Sequence, residues 1–192
     1  MTNTFDGGTL ELTASRTSLF ANPEENVMVV GSNGATVSVG EGLTHRLAFP
    51  VVGAGMLVKS GAGTLVLGKT LDWQSDAVTN ECEATVLRTT GAVEIAEGAL
   101  DFAGESVSLV LKPSQGEIRN ATLAGVRVDL AGLTPEIGQR IPIVRLGSGV
   151  TANLGTWRLA TRSPDYSACF VREGDIVVAE IVTKPGLMMI VW

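Results

Sequence analysis

Of the 192 residues, 20 are acidic and 14 basic, for a net charge of −6; the basic side chains are scattered, so the positive stripe that phosphate backbones or anionic bilayers require is missing. Apolar residues make up 45 % and charged residues 18 %, enough apolar side chain for a buried core and too little charge for a disordered chain. The longest apolar run, Leu187–Trp192, falls far short of the ~20 residues of a membrane-spanning helix.

The first eight residues, Met1 to Gly8, carry neither a basic stretch nor an apolar one, so no secretory leader is read there. The chain is then either cytosolic or a piece of a longer exported protein, and the second is the expectation. From Gly8 onward short alternating pieces follow one another, mostly starting at or just after glycine. They are Gly8–Thr13, Ala35–Gly40, Gly63–Gly68, Gly91–Ala96, Gly98–Phe102, Ser106–Leu111 and Gly125–Leu130. Strict alternation places successive side chains on opposite faces, which predicts strands of four to six residues with one buried face. Glycine, at 23 residues, exceeds the ordinary ~7 % without a period of three, so it is read as turn punctuation. One such strand buries too little to fold alone, and stacking turn upon turn supplies a shared core.

The stretch from Lys69 to Thr90 lacks glycine and proline but is rich in Thr and Val, which disfavour helix. It reads as an excursion ending in a strand at Ala84–Leu87, with a short helix within Leu71–Cys82 as the alternative. Beyond Leu133 prolines appear and the strands lengthen: Ile141–Leu146, Thr156–Ala160, Ala168–Arg172, Asp175–Thr183 and Leu187–Trp192. Hairpin turns are expected at Arg172-Glu173-Gly174-Asp175 and Lys184-Pro185-Gly186. The predicted organisation is all-β: a stacked repeat region over residues 1–130 and an antiparallel cap over 131–192, which covers strand edges that would otherwise invite aggregation.

Within Gly53-Ala54-Gly55-Met56-Leu57-Val58-Lys59-Ser60-Gly61-Ala62-Gly63-Thr64-Leu65-Val66-Leu67 the chain resembles the autotransporter-associated β-strand repeat. Lys59, Gly61, Gly63, Thr64, Leu65 and Leu67 stand at that repeat's diagnostic positions. Glu97-Gly98-Ala99-Leu100-Asp101-Phe102 resembles its closing half, and Gly7–Leu12 the closing half of a preceding copy. The likeness covers roughly residues 7 to 130 with one complete copy; the long Lys69–Thr90 segment departs from the family's short turn. What the resemblance implies is a right-handed parallel β-helix, or solenoid, from the passenger region of an exported bacterial protein, on the cell surface or in the medium. No membrane-inserting barrel is expected, because a barrel needs at least eight strands of about ten residues. Trp192 is accordingly read as packing.

Candidates for chemistry are few. The single histidine, His45, is read as a strand-face imidazole beside Arg46; a zinc site with Cys82 and Cys169 would lack the close-spaced ligand pairs of structural zinc. The two cysteines could form one disulfide, but without a dense cysteine framework they are read as two buried thiols. Carboxylates occur as Glu24 with Glu25, Asp72 with Asp76, Glu81 with Glu83 and Glu94 with Glu97, and a glycosidase would need two of them facing one another. Glu81 and Glu83 are the best placed, but a solvated face accounts for them more simply. Gly53-Ala54-Gly55 lacks the helix and the third glycine of a dinucleotide site, and calcium-loop motifs are absent from the sequence. Lys59 is expected to lay its stem on apolar surface and keep its ammonium in water.

The expected role is therefore non-enzymatic, without catalytic, metal or cofactor residues: a structural or presenting stalk segment. Its partners would be the rest of the parent polypeptide or cell-surface components, glycans among them, with no nucleic acid and no membrane insertion by this segment. A carbohydrate-binding or adhesive module is the first alternative, and it requires Trp73, Trp157 or Tyr166 as an exposed stacking platform. A polysaccharide-processing β-helix is the second, and it requires a carboxylate cleft.

Overall fold

A computed structural model describes residues 1–14, 26–47, 49–67 and 87–184. The excursion from Lys69 with its alternative helix in Leu71–Cys82, the strand at Leu187–Trp192 and the turn at Pro185-Gly186 lie outside them. Among the described residues the chain is all-β, with strands joined mainly in parallel and one short 3-10 turn at Leu154–Thr156.

Chain order explains the architecture. The chain lays down β1 (Thr2–Phe5) and β2 (Gly8–Leu12), then β3 (Val27–Val30), β4 (Ala35–Val39) and β5 (Thr44–Leu47). It continues with β6 (Val51–Gly53), β7 (Leu57–Ser60) and β8 (Thr64–Leu67), then β9 (Leu87–Thr89), β10 (Ala92–Ile95) and β11 (Ala99–Asp101). Each successive set adds one strand to each of three sheets. The first sheet has the order β1-β3-β6-β9, the second begins β2-β4-β7-β10, and the third begins β5-β8-β11. From there the chain alternates between the second and third sheets through β12 (Ser106–Leu111), β13 (Glu117–Arg119), β14 (Ala121–Val128), β15 (Arg140–Leu146) and β16 (Val150–Ala152). A short β17 (Arg158–Leu159) lies beside β14 along with β16.

Parallel register puts like positions directly above one another. In the second sheet Ala35, Leu57, Val93, Leu111, Val128 and Leu159 form one inward column. In the third, His45, Leu65, Leu100, Ile118 and Leu146 form another. Strands rise past one another at about 4.8 Å, so these columns are continuous side-chain contacts, and they merge into one core. Between Val107 and Ser108 the register of β12 against β14 slips by one residue. That slip is a bulge which keeps both Leu123 and Val126 buried.

The corners between strands demand particular residues. Gly61 has φ +74°, and an added Cβ there would strike the carbonyl oxygen of Val39 in the neighbouring turn. Both the left-handed backbone and the close approach exclude a side chain.

Parallel pairing does not stop at residue 130. β15 runs parallel to β13, and β16 and β17 run parallel to β14. Antiparallel pairing begins only where β19 (Ile176–Thr183) joins β15, and β18 (Tyr166–Glu173) joins β19 through the expected turn at Gly174, φ +63°. The expected antiparallel cap over 131–192 thus begins too early, its prolines at Pro135 and Pro142 notwithstanding. β15 instead extends the third sheet, because Ile141, Ile143 and Leu146 supply the same inward-facing hydrophobes as the strands before it.

Leu65 is fully buried and Leu133 is 47 % exposed. Leu65→Ala is therefore expected to lower unfolding stability by about 2–5 kcal/mol, and Leu133→Ala by no more than about 0.5 kcal/mol. Urea denaturation of the two variants checks the assigned faces; equal losses would mean that the inward column is wrong.

Candidate functional site

The most unusual side chain in the core is Lys59, which is fully buried. It stands on β7 in the column Leu10, Val37, Lys59, Ile95, one position of the same parity along from Leu57. The expectation of a wet ammonium is thus overturned. Strand alternation turns the residue inward, and the stem runs through the core to a corner. There Nζ donates to the carbonyl oxygen of Gly61 and, at 3.0 Å, to that of Glu97. The first belongs to the turn after β7 and the second to the turn after β10, so one ammonium ties two successive corners together. Gly98 is part of the same fit, since a Cβ at that position would come within 2.6 Å of Nζ. Burial pulls the Lys59 pKa down from 10.5 to about 8, against a smaller opposing pull from the Glu97 carboxylate. The clue was present in the sequence: in Leu57-Val58-Lys59-Ser60 the lysine shares parity with the leucine.

His45 occupies the strand expected of it, on β5, but faces inward and is 1 % exposed. Its Nδ1 lies 3.3 Å from the Ala14 carbonyl oxygen. Because a carbonyl can only accept, Nδ1 carries the proton in that contact, and Nε2 is buried with no hydrogen-bond partner. Asn3 heads the corresponding column of the first sheet, Asn3, Met28, Val51, Leu87, and its Nδ2 is likewise buried and unpartnered. Polar residues therefore top two of the columns on their first described strands.

The zinc grouping does not assemble. His45 is on β5 and Cys169 on β18, and these are the two outermost strands of the seven-stranded third sheet, about 29 Å apart at the strand spacing. Cys169 is exposed with a free thiol, and Cys82 lies outside the described residues. Among the described residues, no group of three His, Cys, Asp or Glu side chains could hold a metal ion.

Two of the described acids, Glu117 and Asp101, are occupied structurally. Glu117 forms a two-bond fork with Arg119, at 3.0 Å for each arm. Asp101 accepts from the Asn120 side chain at 2.6 Å and from the Ala103 backbone N–H at 2.7 Å. Glu97 is exposed at a corner, and Glu94 stands on the outward face of β10. The other carboxylate pairs, Glu24 with Glu25, Asp72 with Asp76 and Glu81 with Glu83, lie outside the described residues, as do Trp73 and Trp192.

Of the platforms that the carbohydrate-binding alternative requires, Trp157 is 1 % exposed and packs against Phe170 with ring centroids 5.8 Å apart. It is a core residue, so it offers no face to a sugar ring. Tyr166 is half-buried against the core. The tryptophan precedes β17, and the 3-10 turn before it turns the ring inward beneath the cap; sequence alternation alone did not reveal that direction. Comparison of the chain with family models, with curated proteins and with solved structures finds no match.

Since the unfolded Lys59 binds its proton up to about pH 10.5 and the folded one only to about 8, the unfolded state holds more protons between those values. Stability from this group therefore rises with pH across that window. The melting temperature of the parent relative to Lys59→Met should climb between pH 8 and 10.5. A flat difference would show that the amine is not buried.

Proposed function

We propose that this chain is a right-handed β-helix and serves as a structural or presenting segment of an exported bacterial surface protein, without an active site. The observation that carries the reading is the rotation of the chain through three parallel sheets, one strand per sheet in each set, over a shared core. Such a stack gains length by repetition and stability from many small neighbour interfaces, which is what a stalk needs. The repeat-like residues fall where this role would use them: Lys59 ties corners, Gly61 permits one, and Leu65 fills the interior. Of the described acids, Asp101 and Glu117 serve turn formation and ion pairing, and the one histidine is buried in the packing. The antiparallel β18–β19 pair covers one end of the third sheet, as a terminal cap would. The alternative of an aromatic sugar-binding platform loses one of its three candidates with the burial of Trp157.

Surface exposure can be tested with an epitope inserted in the exposed turn at Ala131–Thr134 of the protein expressed in its native cells. Antibody is expected to label intact cells, and added protease to remove the label. Labelling only after permeabilisation would sink the exported role.

A further inference from the structure

The outward face of the second sheet ends in an arrangement that the stalk role does not use. Arg127 on β14 and Arg158 on β17 are register partners in a parallel pair. Their inward neighbours, Val128 and Leu159, face the core, so both arginines project from the opposite side, and both are exposed. Their backbones are about 4.8 Å apart. Like charges directly side by side across a strand pair are unfavourable, and this pair stands in a chain of net charge −6. An acidic chain has ample carboxylates to neutralise two arginines, as it does at three others. Arg119 pairs with Glu117, Arg140 with Glu173 and Arg145 with Asp175, all on the third sheet. No ion pair reaches Arg127 or Arg158 among the described residues. Asp129, two residues along from Arg127, spends one carboxylate oxygen on the backbone N–H of Ala131 at 2.9 Å.

Arg158 is also held in place without being neutralised. Its Nη1 donates to the carbonyl oxygens of Gly155 and Trp157, each at 2.7 Å. These neutral acceptors fix the guanidinium while leaving its charge intact, so little side-chain freedom remains to be lost when an anion arrives. Further along the same face, Thr122 on β14 and Thr151 on β16 form a second outward register pair, both exposed. Four residues of β14, the bulge among them, lie between the two pairs, which are at most about 16 Å apart. The outward face thus carries a strip with a doubly cationic end and a hydroxyl end.

We propose that this strip binds a carboxylate-bearing polysaccharide, with a uronate group bridging Arg127 and Arg158 and neighbouring sugars lying along β14 toward Thr122 and Thr151. A carboxylate matches the planar fork of a guanidinium, and the line of hydroxyls favours a linear polyol over a free phosphate. A polynucleotide would instead meet the chain's net negative charge beyond this local pair. The inference stands independently of the stalk reading, since a binding strip can sit on a protein of any localisation.

Affinity electrophoresis of the purified chain in gels containing polygalacturonate, at low salt, tests it. The parent should be retarded, and Arg127→Gln with Arg158→Gln should weaken that retardation at least tenfold. The ion-paired control, Arg140→Gln with Arg145→Gln, should leave it within twofold, and neutral dextran should retard nothing. Single Arg127→Glu should raise the melting temperature by relieving like-charge contact, and its folded state can be verified by circular dichroism. No retardation of the parent, or equal retardation of the Arg127/Arg158 double variant, overturns the site. Retardation by a single-stranded oligonucleotide as strong as by polygalacturonate overturns the polysaccharide assignment.

Discussion

In-register parallel stacking is the constraint on which everything else in this molecule depends. Because each strand lies directly over the one before, an inward residue has a counterpart of the same parity above and below it. Leu57 meets Val93, Leu65 meets Leu100, and Leu111 meets Val128. A slip of one residue would turn a whole column outward. The one slip between β12 and β14 is absorbed by a bulge that restores burial within two residues. Length, stability and surface pattern all derive from this rule.

The same rule accounts for the costly residues. Lys59 is inside because parity placed it there, and the core tolerates it because two corner carbonyls receive its protons. Removing an ammonium from water is expensive, and the lowered pKa records that expense. What is gained is a physical tie between consecutive turns, at a position where a hydrocarbon would leave two carbonyl oxygens to find other donors. His45 and Asn3, by contrast, enter the core with one nitrogen each left unpartnered, a penalty of the kind that polar groups incur at the end of an apolar column.

The outer surfaces differ from sheet to sheet. The third sheet is laced by ion pairs between Arg119, Arg140, Arg145 and the acids beside them. The far end of the second sheet sets Arg127 beside Arg158, with no ion pair to either among the described residues. Charge segregation of this type adds nothing to a core-driven fold, and for that reason the second sheet's strip is where the chain's chemistry toward other molecules is to be sought.

The sequence by itself determined the strands and their faces, because alternation has a period of two whatever lies next to the strand. That alternation turns Val37, Val39 and Leu65 inward, and all three are buried. It also determined the corners, since glycine at Gly61 and Gly174 marks backbone that other residues resist. Tertiary structure alone decided which strand lies over which. Pairing across twenty or more residues leaves no mark on local sequence, so the continuation of parallel pairing through β15 and β17 was not legible, nor was the pairing of Arg127 with Arg158. Burial of Lys59 is decided in the same way. Its residue type argues for water, whereas its position in the stack places it in the interior, and in a protein built of columns position outweighs residue type.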